Sequence, residues 1–219
     1  MTPFGLRPSR LALLLALSPA LALANGVTVD GDAIFPSNRF TVPDFGNATL
    51  RRVNLPKPDC AARPSDCADI AVINTLDGFS TQPRITVPFT GAIDPASVSS
   101  QSIYLVNLGD VLTLRGFGQR VGINQVVWDP ASRTLAFESD ELLQERSRYL
   151  LVVTTDVRDA SGKRLPSLLA KGNPGHHARE MRDAMSVVRG GLPNVAAASV
   201  CTTQTSTGDL RQVQRRSKA

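Results

Sequence analysis

From about residue 76 onward, apolar and polar residues alternate with a period of two. Ile85, Val87 and Phe89 stand against Arg84, Thr86 and Pro88, and Ile103 and Leu105 against Tyr104 and Val106. Val126 and Trp128 flank Val127, while Leu135 and Phe137 alternate with Thr134 and Ala136. Tyr149, Leu151 and Val153 alternate with Leu150, Val152 and Thr154, and a Thr-rich run from Ala198 to Gln204 keeps the period. Successive side chains of an extended chain leave opposite faces, so these β-branched, short runs predict strands. Gly91, Asp94-Pro95, Asp129-Pro130-Ala131-Ser132 and Asp159-Ala160-Ser161-Gly162 separate them with turn chemistry. Six or seven short strands without βαβ units predict a mainly β, antiparallel sandwich over residues 76–205.

One segment breaks the period. Asn173-Pro174 opens and Gly190-Gly191 closes a stretch in which Ala178, Met181, Met185 and Val188 share one helical face. This predicts a helix over about 174–190, inserted before the last strand, with its methionines packing on the sandwich. Residues 25–75 read differently, because Phe35-Pro36-Ser37-Asn38, Val42-Pro43-Asp44 and Leu55-Pro56-Lys57-Pro58 interrupt any regular ladder. The expectation there is an extended wrapping segment, clamped by pairs such as Phe40/Val42 and Leu50/Val53, with a long disordered coil as the alternative. After the last strand, Thr205-Ser206-Thr207 can cap a short polar helix over 206–219. Leu210 and Val213 are its apolar contacts, too few for such a helix to stand alone. It reads as the start of a connection to something else.

The first two dozen residues change the picture of where the chain works. Arg7 and Arg10 precede the apolar run Leu11 to Leu23, which closes on Ala22-Leu23-Ala24 before Asn25. That is the pattern of a secretory signal peptide over 1–24, too short for a bilayer span and interrupted by Pro19. The expected location is secreted, periplasmic or cell-surface, with no transmembrane segment after cleavage. Removing these residues takes the net charge from +5 to +3, and the last eleven residues alone carry +3. The body is therefore neutral, without the basic face that phosphate neutralisation demands, which argues against nucleic acid as a partner.

Export also sets the cysteine chemistry. Cys60 and Cys67 bracket the Pro-containing stretch Ala61 to Asp66 and are expected to pair as a disulfide. Zinc would need two further ligands, and His176 and His177 lie far away and diverge as helical neighbours. Cys201 is left over, either as a buried inert thiol or as a point of intermolecular pairing. Asp94, Asp129, Asp156 and Asp159 near strand ends allow a calcium reading, but form no loop code and suit turns. Asp140/Glu141 lie in a loop before a strand, where a solvated charge run is the ordinary occupant. No catalytic, cofactor-binding or metal-ligating residue is assigned, and no cofactor is expected.

Two resemblances arise from ordered motifs. Pro83-Arg84-Ile85-Thr86-Val87-Pro88-Phe89-Thr90-Gly91 with Ile93-Asp94-Pro95-Ala96-Ser97-Val98 resembles the opening of bacterial Ig-like domains of the S-layer type. Leu143, Tyr149 and Val152, then Val157-Arg158-Asp159-Ala160-Ser161-Gly162, resemble the later strand and hairpin of that family. The Leu143-to-Tyr149 spacing is similar to a tyrosine corner. A second set resembles the N-terminal domain of bacterial virulence-factor extracellular lipases: Phe35-Pro36-Ser37-Asn38, Pro56 to Cys67, Asn74 to Arg84, Ile123 to Trp128 and Ala198 to Thr205. In that family the domain precedes an α/β-hydrolase unit, with the Thr202-Thr203-Gln204 segment as hand-over. The resemblance implies an Ig-like sandwich and a hydrolase partner, in cis or on a neighbouring chain.

Lipase activity does not carry over. The chain has no Gly-x-Ser-x-Gly elbow to project a nucleophile, and its two histidines do not follow a serine and an acid. The expectation is therefore a non-catalytic exported accessory domain that packs against or presents a hydrolase. A truncated lipase or esterase and a surface adhesion or self-association module are the alternatives.

Overall fold

The computed structural model describes residues 26–167, 178–187 and 194–207. In chain order the elements are β1 (Thr41–Pro43), β2 (Arg51–Val53), α1 (Pro64–Ile73), β3 (Ile85–Pro88) and β4 (Ile103–Asp110). There follow β5 (Arg120–Val121), β6 (Ile123–Asp129), β7 (Thr134–Ser139), β8 (Ser147–Thr154), α2 (Ala178–Met185) and β9 (Val195–Thr202). Two antiparallel sheets, ordered β3-β7-β6 and β5-β4-β8-β9, form the sandwich that the alternation predicted. Ile85 lies opposite Phe137 and Val87 opposite Leu135 in one sheet; Leu105 lies opposite Leu151 in the other. These side chains, with Phe89, Ile103, Tyr149 and Val153, meet between the sheets at 5 % exposure or less. Each buried side chain of this size contributes up to about 1.5–3 kcal/mol relative to exposure.

Strands β4, β8 and β9 are buried on both faces. Their outward residues Tyr104, Val106, Leu150, Val152, Ala198 and Val200 form a second core with Ala184 and Met185 of α2, joined by Met181 and Val187. This explains why Tyr104/Val106 and Leu150/Val152 alternate apolar with apolar. The predicted helix over 174–190 is described as Ala178–Met185, with Met181 and Met185 on the packing side. Its expected ends, Val188, His176 and His177 lie outside the described residues, as do the signal segment 1–24 and the tail from residue 208.

Residues 26–82 depart most from expectation. Extended wrapping holds over the first part: Thr90 N–H donates to Thr28 C=O and Asp30 N–H to Pro88 C=O, while Phe35 and Thr86 exchange both bonds. This covers the outer edge of β3. The remainder is more regular than its prolines imply. β1 and β2 form a hairpin, and Pro64–Ile73 is an α-helix beginning inside the expected loop between Cys60 and Cys67. Pro64 takes the first helical position, where its missing N–H costs nothing. Only Cys67 of α1 is buried, so no apolar stripe announced the helix. The disulfide joins Cys60 to Cys67, and the Asn74 side chain clips Leu55 by donating to its C=O (3.0 Å) and accepting from its N–H (2.7 Å). Of the expected clamps, Val53 is buried and Phe40 packs on the core, whereas Leu50 is exposed in the hairpin turn at φ 58°.

One strand also shifts its faces. A bulge between Asn124 and Val127, with Gln125 at φ 48°, turns Val126 and Val127 both outward, so that Val126 does not pair with Trp128 on one face. Trp128 packs edge-on to Phe89 at 5.9 Å.

Candidate functional site

The acidic residues singled out in the sequence do not converge. Asp94 Oδ1 accepts from Ala96 N–H (3.0 Å), and Asp156 pairs with Arg164 (3.2 Å). Asp129 accepts from the Ser132 hydroxyl (2.6 Å) and Ala131 N–H (2.9 Å). Asp159 accepts from the Ser161 hydroxyl (2.5 Å) and from the N–H groups of Ser161 and Lys163. The Ser132 hydroxyl, then the Ala131 N–H, hold the Asp129 carboxyl below its usual range. The Ser161 hydroxyl does the same for Asp159, overcoming the opposing desolvation. Carboxylates held this way are weak bases, so neither serine beside them is an activated nucleophile. Asp140 and Glu141 sit exposed after β7, with Glu141 accepting from Gln119 (3.3 Å). Among the described residues no three His, Cys, Asp or Glu side chains gather closely enough to hold a metal ion.

Several other nucleophiles among the described residues are sealed. Cys201 is free and buried on β9 between the sheets. Burial, with the Glu180 charge adding to it, pushes its thiol up to about 12, so almost no thiolate exists at neutral pH. The hydroxyls of Ser139 and Ser199 are buried without a hydrogen-bond partner. Tyr149 forms the corner that its spacing predicted: its hydroxyl oxygen accepts from Gln144 N–H (2.9 Å) and the Asn107 amide (3.2 Å). Desolvation holds this phenol above its usual pKa, so it stays neutral and structural.

A polar seam at the end of the sandwich had no signal in the sequence beyond the Phe35-Pro36-Ser37-Asn38 motif. The Asn38 amide donates to Glu180 Oε1 (2.8 Å), which also accepts from Arg51 (2.9 Å). Thr202 donates to Asn38 Oδ1 (3.0 Å), and Arg51 donates to Thr41 (3.0 Å). The inserted helix, the N-terminal hairpin and the last strand thus meet on one carboxylate and one amide. Beside the seam lies an open groove of about 370 Å³, with Leu108, Phe117 and Val187 as apolar walls and Arg148 among its lining residues.

Where the chain leaves β9 it is held at successive points. Phe79 N–H donates to Thr202 C=O and Gln204 N–H to Phe79 C=O. Gly78 lies so close to Thr203 and Gln204 that a Cβ there would stand 2.7 Å from their backbone. Asp77 accepts from Thr205 N–H (2.9 Å) and its hydroxyl (2.6 Å); Glu145 accepts from Thr207 N–H (2.8 Å) and its hydroxyl (2.7 Å). Residues 77–79 and Glu145, distant from each other in sequence, therefore converge on Thr202–Thr207.

Residues 68–171 match the model of a family described as bacterial Ig-like domain. The match begins within α1 and stops before α2 and β9. Among solved structures, the N-terminal part of the bacterial S-layer protein SbsC is similar at 18 % identity and a TM-score of 0.30, over 48 % of this chain and 25 % of that one. Domains 1–6 of surface layer protein SbsC and the S-layer protein rSbsC(31–844) each match at 16 % identity and a TM-score of 0.30, over 48 % of this chain and 15 % of theirs. No curated protein matches the chain. No helix among the described residues is long and apolar enough to cross a membrane.

Proposed function

We propose that this chain is built on a bacterial Ig-like domain and is an exported, non-catalytic module that orients an α/β-hydrolase of the bacterial extracellular lipase type. The observation that carries the reading is the clamped exit after β9. A domain that merely tethers a neighbour has no use for a fixed direction of departure. Here Asp77 and Glu145 each bind both the N–H and the hydroxyl of a threonine, at Thr205 and Thr207. Charge-assisted bonds of this kind are about twice as strong as neutral ones. The clamps sit on segments that resemble the lipase N-terminal domain, Asn74 to Arg84 and Ala198 to Thr205. Catalysis would then belong to the partner, because the serines and the thiol described above lack a base. The signal segment 1–24 and the disulfide suit an exported setting.

The test begins with the DNA next to this reading frame. A neighbouring sequence encoding a Gly-x-Ser-x-Gly hydrolase is expected, and the two products expressed together should co-elute in size-exclusion chromatography. Replacing Asp77 and Glu145 by alanine should weaken that complex while the sandwich stays folded. Separate elution, or the lack of any such neighbour, would overturn the hydrolase assignment.

A further inference from the structure

The loop between β4 and β5 presents large apolar side chains to solvent on a fixed backbone. Leu112, Leu114 and Phe117 are 62 %, 55 % and 56 % exposed. A slack loop would be free to fold them back, but this one is closed on itself. Asp110 N–H donates to Arg115 C=O (3.0 Å), Leu114 N–H to Asp110 C=O (2.9 Å), and Gly118 N–H to Asn107 C=O (2.7 Å). The Asp110 carboxylate accepts from the N–H groups of Leu112 and Thr113 (both 2.9 Å) and pairs with Arg146 (2.8 Å). Gly109 sits at φ +92°, where a Cβ would strike the backbone of Leu114 at 2.7 Å. Leu114 itself stands at φ 57°, a left-handed conformation that leucine rarely adopts. The chain thus holds a strained leucine outward rather than inward.

The tip itself carries charge of one sign. Val111 to Gln119 contains no acid, and Arg115 is exposed within it. The carboxylate at the base, Asp110, is neutralised by Arg146. Arg148 and Arg51 line the groove beside Phe117 together with Glu180 and Asp183, and the Arg148 Nε is buried without a hydrogen-bond partner. Glu141 borders the far limb, where it accepts from Gln119. Apolar tips with guanidinium groups beside them match the layering of a bilayer surface, acyl chains beneath phosphates. A bilayer accepts three separate side chains without a preformed pocket for each.

The geometry points to the β4–β5 loop as a lipid-surface contact, with Leu112, Leu114 and Phe117 entering an anionic bilayer and Arg115 on its phosphates. This stands apart from the hydrolase reading, since it needs no partner protein. The test is flotation of the chain, purified as its host exports it, with vesicles of phosphatidylcholine containing phosphatidylglycerol and with phosphatidylcholine alone. Binding to the anionic vesicles is expected. Leu114→Gly relieves the left-handed backbone while deleting the side chain, so it should melt no lower than wild type yet bind about tenfold more weakly. Arg115→Gln should weaken binding to anionic vesicles about fivefold and leave neutral vesicles unaffected. Wild-type chain that stays unbound overturns the proposal. So does equal binding by wild type and Leu114→Gly, or a loop-dependent dimer in size-exclusion chromatography that ignores vesicles.

Discussion

Asp110 shows what a single side chain contributes to this surface. Its Oδ1 caps two backbone N–H groups and its Oδ2 pairs with Arg146. Desolvation acts to raise its pKa, but the Leu112 N–H, the Arg146 guanidinium and the Thr113 N–H outweigh it, and the carboxyl lies below its ordinary value. A carboxyl depressed in the folded state adds stability that is complete above its unfolded pKa of about 3.9 and is lost as pH falls through the folded value. Asp110→Asn should therefore lower the melting temperature at neutral pH, and its deficit relative to wild type should shrink below about pH 4. Thermal denaturation of both proteins across pH checks this; a deficit independent of pH would contradict it. None of this was legible in the sequence, because the Arg146 partner comes from another strand end. Tyr149 was legible, since the corner depends on the local spacing to Leu143 and its loop.

At the scale of elements, legibility followed burial. β3 and β7 stood out because one face of each meets the core and period two survives in the sequence. The bulge in β6 and the two-residue β5 escaped, since a register shift and a pair of residues leave no period. α1 escaped for a related reason: with Cys67 as its one buried residue, it has no stripe to read. That helix relies on the disulfide and the Asn74 clip more than on packing, because a short isolated helix is marginal in water. Closing so small a loop is worth on the order of 2–3 kcal/mol in the chain-entropy model. Replacing both Cys60 and Cys67 by serine should let the amides of 64–73 exchange freely, while those of β4 and β8 stay protected. Hydrogen exchange with mass spectrometry reads both regions at once, and an unchanged α1 would show that packing suffices.

The whole molecule is a sandwich with guarded edges. Residues 28–35 cover β3, and Phe79 lies along β9. The bulge twists β6, whose Val126 and Val127 remain exposed. Such devices suppress indiscriminate edge pairing. The sandwich was legible from alternation and turns; the seam on Asn38 and Glu180 was not, because it joins residues 142 positions apart. The most direct check on the central claim, a module that supplies no nucleophile of its own, is reaction of the purified chain with a fluorophosphonate probe, followed by intact-mass measurement. The structure predicts an unmodified mass under conditions that label a serine esterase to completion. A stoichiometric adduct, mapped to one serine of this chain, would contradict it.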